Sequence, residues 1–175
     1  MNLKKKVVLA ITGGSGFKLG MKVWELLPDS VEKYLIVSDN SKIVSEHEEG
    51  KIFNNSQIDA PMASGSFGAD IMLVIPTSMN SLAKISVGIA DNLVTRTASV
   101  MIKERKTLLL APRELPFSPI HLENMQKLSQ IGVIIAPPVL GYYSEIQTLD
   151  KMENFLIGKW FDAVGIENNL FKRWE

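Results

Sequence analysis

Short apolar runs rich in β-branched residues alternate along this chain with longer stretches in which apolar positions recur at helical spacing. The runs are Val7–Ile11, Tyr34–Val37, Ile71–Ile75, Thr107–Leu110 and Val133–Ile135. Each is almost unbroken by polar residues, as expected of strands buried on both faces of a parallel sheet. The stretches between them carry helix start and stop signals. Ser118-Pro119 offers an N-cap and a first-turn proline, and Gly132 stops the helix that ends in "NMQKLSQI". Thr148 is placed to cap "LDKMENFLIGKWFDAV", which Gly165 ends, and Asp91 is read as the cap of "NLVTRTASVMIKER".

This alternation predicts an α/β chain: a doubly wound parallel sheet, a Rossmann-like three-layer sandwich with right-handed crossovers, formed as a single domain over residues 1–175. Ligands of such sheets bind outside the carboxyl ends of the strands. The candidates on that rim are Gly13-Gly14-Ser15, Ser38-Asp39, Thr77-Ser78, Arg113-Glu114 and Tyr142-Tyr143, one group after each run. In "ITGGSG" the backbone N–H groups and the Ser15 hydroxyl stand at the positive end of the first helix, a place for a phosphate or a polar ring edge. The same glycines also suit a plain tight connection from strand to helix, and the residues alone leave both readings open. Arg113 leaves a buried strand with Glu114 beside it, which suits a charge-assisted anion site. Arg96 and Lys103, seven residues apart, share one helix face, and Lys159 lies on the last helix. Such cations ordinarily belong to solvated surface.

Composition removes several classes of function. Lys+Arg and Asp+Glu each number 19, so no net field favours nucleic acid or an anionic membrane, and neither is expected as a partner. Cysteine is absent, and His47 and His121 lie far apart, so no metal site is expected. "KKKVVLAI" imitates a signal peptide, but its apolar part ends at Thr12 and two glycines follow. It reads as a first strand, no run is long enough to span a bilayer, and the expected location is cytoplasmic. Gly14, Gly16 and Gly20 are spaced one residue too wide for a dinucleotide fingerprint, a P-loop lysine is missing, and Phe17 breaks a nucleophile elbow at Ser15.

Taken together, "ITGGSG", "LIVSDNSKIVSEHEEG", the long segment from "MASGSFGAD" to "PPVLGYY" and the terminal "LFKRW" resemble the flavin prenyltransferases of the UbiX/Pad type. The most specific part is the series "DNL", Arg96, "KER", "RE", "HL" and "NM" in the family's order. The resemblance implies an enzyme that joins the dimethylallyl group of dimethylallyl phosphate to N5 and C6 of reduced FMN, making prenylated FMN for a partner decarboxylase of the UbiD type. Carried over by position, Gly13, Gly14, Ser15, Ser38, Ser78, Met79, Asn80, Ser81, Arg96 and Arg113 would hold FMN. Lys103, Arg113, Tyr143, Lys159 and Trp174 would grip the prenyl phosphate, and Ser15, Glu48 and Glu114 would act in catalysis. The resemblance also implies a homododecamer, in keeping with an apolar fraction of 46%.

Three departures from the family's pattern stand out. Lys159 replaces a usual arginine, exchanging a bidentate fork for a single ammonium. Ser144-Glu145-Ile146 follows Tyr143 where His-Arg-Pro is common, and Gly14 and Thr77 replace a usual alanine and a frequent cysteine. The first two bear on the affinity for a prenyl phosphate and on the choice between mono- and diphosphate. Two alternatives stay open: an FMN-dependent cysteine-type decarboxylase using His47, and a noncatalytic FMN-binding subunit.

Overall fold

All five apolar runs become strands in the computed structural model, which describes residues 4–37, 51–142 and 148–173. They are β1 (Lys5–Ile11), β2 (Val31–Val37), β4 (Ile71–Thr77), β5 (Thr107–Pro112) and β6 (Ile134–Ile135). A sixth strand, β3 (Lys51–Asn54), was not expected. It lies at the sheet edge with exposed or half-buried residues, so it lacks the double-sided apolar pattern that marks the others. The expected last strand, Val133–Ile135, loses only its first residue, because the Val133 N–H is spent on the Leu128 carbonyl at 3.1 Å, closing the helix before it.

Every described pairing is parallel, in the order β3-β2-β1-β4-β5-β6. The chain therefore winds outward from β1 in one direction, then returns to place β4 on its other side. That reversal between β1 and β4 is the topological switch point, where a crevice opens at the carboxyl ends.

Alternate residues of each strand feed two cores. Val7, Leu9 and Ile11 face α1 (Phe17–Leu26) and α5 (Leu149–Ala163), packing with Trp24, Ile157 and Phe161. Val8, Ala10, Met72 and Val74 face α2 (Met79–Ser86), α3 (Leu93–Lys103) and α4 (Pro119–Gln130), packing with Leu82, Leu93 and Met125. The result is the expected three-layer sandwich. No helix among the described residues is long and apolar enough to cross a membrane.

The capping expectations hold at two helices and shift at one. Ser118 accepts the His121 N–H at 3.2 Å and Thr148 accepts the Lys151 N–H at 3.3 Å. The cap of α3 is Asn92, not Asp91: the Asn92 side chain accepts the Thr95 N–H at 3.0 Å, while the Thr95 hydroxyl accepts the Asn92 N–H. This reciprocal box satisfies two otherwise unpaired donors, and Asp91 is released to pair with Lys84 at 2.6 Å.

Candidate active site

The carboxyl ends of β1, β4 and β5 are bolted together by two buried threonines. Thr12, the first residue past β1, donates its hydroxyl and its backbone N–H to the Pro76 carbonyl, each at 3.1 Å. The same hydroxyl accepts the Ser78 N–H at 2.8 Å, so the exits of β1 and β4 are held at one spacing. Pro76 cannot donate to the ladder, and the β4·β5 register shifts between Val74 and Thr77. The Thr77 hydroxyl fills the gap, donating to the Val74 carbonyl at 2.6 Å and accepting the Ala111 N–H at 3.0 Å.

Above these struts the chain turns at Gly13, whose φ of +88° lies in the left-handed region. The first helix then comes in close to β4. A Cβ on Gly16 would stand 2.6 Å from Pro76 Cγ, and one on Gly20 would stand 2.6 Å from the Ile75 carbonyl oxygen. The glycines too widely spaced for a dinucleotide fingerprint are thus used partly for packing, and the turn is raised beside the switch point. Gly13, Gly14 and Ser15 stay exposed on it, with open space where a Gly14 side chain would be.

Arg113 leaves β5 and donates Nη2 to the Ser15 hydroxyl across the rim. Ser78 caps α2, accepting the Ser81 N–H at 3.2 Å and donating to the Ser81 hydroxyl at 3.0 Å. Met79, Asn80 and Ser81 form the first turn of α2, whose positive end faces the same crevice. Glu114 is exposed beside Arg113 and accepts the Leu115 N–H at 3.1 Å. A guanidinium, two serine hydroxyls and two helix N-termini at one switch point are a donor set for a phosphate, and the open turn leaves room for a planar ring. FMN therefore fits these residues. Leu115, Val139, Leu140 and Tyr142 add exposed apolar surface on the segments that leave β5 and β6.

Lys103 is not brought to this rim by its own chain. Lys103 ends α3 at the opposite edge of the sheet, just before β5 begins at Thr107. Its ammonium pairs with Glu104, holding that carboxyl below the usual carboxylate range. Six strand steps separate Thr107 from Arg113, about 20 Å at ~3.3 Å per residue. Arg96, by contrast, is exposed in the first turns of α3, the end that meets the carboxyl edge of the sheet: the Leu93 N–H donates at 2.8 Å to the carbonyl of Asn55, the residue just past β3. Lys159 is exposed on α5, about 15 Å along the helix from Leu149 at ~1.5 Å per residue. Ser38, Glu48, Tyr143 and Trp174 lie outside the described residues. Sequence reasoning missed the roles of Thr12 and Thr77; the available signal was a threonine closing each of two apolar runs.

A parallel sheet with a phosphate-binding crevice at its switch point defines a nucleotide-cofactor protein of the flavoprotein kind. Comparison with known proteins agrees: residues 1–158 match the Flavoprotein family. The chain is 45% identical over 183 residues to flavin prenyltransferase UbiX of Helicobacter pylori, covering 97% of this chain and 98% of that one. Among solved structures it is similar to AnUbiX in complex with FMN and dimethylallyl pyrophosphate, with TM-score 0.89, 36% identity and 98% of each chain covered. It is also similar to the dodecameric FMN-dependent UbiX-like decarboxylase of Escherichia coli O157:H7, with TM-score 0.88, 36% identity, and 97% of this chain and 99% of that one covered. The chain belongs to the Flavoprotein family and, within it, to the flavin prenyltransferases of the UbiX group.

Proposed function

We propose that this chain transfers the dimethylallyl group of dimethylallyl phosphate to N5 and C6 of reduced FMN, and that the prenyl-phosphate half of each site is completed by neighbouring copies. The observation that carries the first part is the convergence of Ser15, Ser78 and Arg113 at the switch point. Reduced FMN is the acceptor and supplies the nucleophilic nitrogen. The chain's work is to orient it, to hold the ester beside it, and to receive the charge that builds on the leaving phosphate. Fixed cations stabilise that charge more in the transition state than in the ground state. Arg113 is a cation standing at this rim on the same chain, Ser15 is held by it, and Glu114 and Glu48 are the carboxylates assigned to proton movement near N5. The allylic fragment is cation-like as its C–O bond breaks, which suits aromatic walls such as Tyr143 and Trp174. The product serves a decarboxylase of the UbiD type, and the reaction belongs to the cytoplasm.

The second part follows from reach. Lys103 ends the helix that leads into β5 and Arg113 follows that strand's far end; the strand alone spans about 20 Å at ~3.3 Å per residue, more than a lysine side chain reaches. Lys103 acts from a second chain, in a dodecamer like that of the similar Escherichia coli protein. The test is complementation. Lys103→Ala and Arg113→Ala variants are each assayed alone and after co-assembly in equal amounts. Random mixing leaves about a quarter of the sites with both residues intact if they come from different chains. If both residues came from one chain, every site in the mixture would lack one of them, and no activity would return.

A further inference from the structure

The last described residues fold back along α5 and are fastened there at three points. Phe171 sits edge-on against Phe155, ring centroids 5.0 Å apart, in a socket that exists because residue 158 is glycine: a Cβ there would stand 2.5 Å from the Phe171 ring. Asn168 donates its amide to the Gly158 carbonyl at 3.3 Å and to Asp162 Oδ1 at 3.0 Å. Arg173 lies over the Phe171 ring, 4.5 Å from its centroid, and sends both guanidinium nitrogens to the two oxygens of Asp162. One of those nitrogens also donates to the Asn168 carbonyl at 3.1 Å.

Asp162 is three residues after Lys159 on the same helix, the spacing at which a lysine and an aspartate pair on a helix face. They do not pair here. Both Asp162 oxygens are taken by Arg173 and Asn168; Lys159 acts on Asp162 only through its charge, helping to hold that carboxyl low, and makes no direct ion pair with it among the described residues. We propose that Arg173 is a positioning residue for Lys159: by occupying both oxygens of Asp162 it keeps the Lys159 ammonium out of a direct ion pair there, so that its hydrogen-bond donors stay available to a phosphate. This rests on the assignment of Lys159 to the prenyl phosphate. A lysine needs such protection more than the arginine usual at this position, because its single ammonium has no second edge to offer a ligand once one carboxylate has engaged it.

The test uses the assembled protein and two readouts. Arg173→Met keeps an apolar stem over Phe171 and removes the fork; Arg173→Met with Asp162→Asn also removes the carboxylate. Trace acetylation of Lys159, read by peptide mass spectrometry against the chain's other lysines, reports its pairing, because a paired ammonium surrenders its proton less readily. The half-saturating concentration of dimethylallyl phosphate reports its use. Arg173→Met should slow labelling and raise that concentration, each about twofold for an exposed helix pair, and the double variant should restore both. Unchanged labelling in Arg173→Met overturns the proposal. So does a double variant as impaired as the single one, which would make Arg173 only a fastening for the tail. If labelling follows the expected pattern while the donor concentration does not move, the positioning of Lys159 stands and its assignment to the prenyl phosphate falls.

Discussion

Thr12→Val removes the strut between the exits of β1 and β4 while keeping the β-branched shape. Two hydrogen bonds go: the hydroxyl to the Pro76 carbonyl at 3.1 Å and the Ser78 N–H to the hydroxyl at 2.8 Å. They do not count equally. The Pro76 carbonyl keeps its bond from the Thr12 N–H, so losing the first leaves no orphan. The Ser78 N–H has no such reserve. Ser78 is half-buried, so its donor is only partly open to water and its loss falls in the lower part of the ~1–3 kcal/mol range for an unsatisfied buried group. Adding the lost hydroxyl donor and subtracting what the new methyl gains by burial leaves a cost of about 2 kcal/mol. For a chain of this length that is a fall of about 4–8 °C in Tm. Thermal unfolding of wild type and variant at equal protomer concentration measures it, and FMN fluorescence titration measures the site. FMN affinity should fall as well, because Ser78 caps the helix that faces the crevice. A Tm within about 1 °C of wild type together with unchanged FMN binding would refute the idea that this hydroxyl sets the rim.

Lys159→Arg restores the usual guanidinium and should tighten dimethylallyl phosphate binding by about 1 kcal/mol through a second charge-assisted bond, while Lys159→Ala should weaken it with FMN still bound. The comparison is made at one salt concentration, since phosphate attraction is screened, and a wild-type constant for Lys159→Ala would return Lys159 to the surface. Asp162 is held below the usual carboxylate range, first by its hydrogen bonds from Arg173. A depressed carboxyl contributes stability above its unfolded pKa and loses it as pH falls through the folded value. The advantage of wild type over Asp162→Asn should therefore be level near neutrality and shrink below about pH 4; an advantage constant down to pH 2 would contradict the pairing.

The layers of this fold were legible because its central strands are apolar on both faces, a pattern that survives in one dimension. Edge strand β3 was not, since it is only four residues long, pairs on one side with β2 and is exposed or half-buried throughout, so Ile52 and Phe53 alone are too short an apolar run to mark it. The cap of α3 was misplaced by one residue because Asp91 and Asn92 are equally good caps by type. The choice was made by the Thr95 side chain three positions after Asn92. At the site, strand ends predicted the meeting of Ser15, Ser78 and Arg113, because the rule that puts ligands at carboxyl ends depends only on order and direction. The distance between Lys103 and Arg113 was hidden by their nearness in sequence: a helix end and the far end of the next strand are ten residues apart along the chain yet lie on opposite edges of the sheet. The threonine struts were invisible for another reason, since each bonds to backbone that only the folded sheet brings near.

The central claim is that this chain prenylates FMN. Mass spectrometry of the flavin extracted after anaerobic incubation of the purified protein with reduced FMN and dimethylallyl phosphate tests it most directly. The account predicts a flavin heavier by one five-carbon isoprenoid unit, formed in wild type and lost in Arg113→Ala. Recovery of unmodified FMN alone from wild-type protein that binds the flavin would contradict it and leave a flavin-binding subunit without transferase activity.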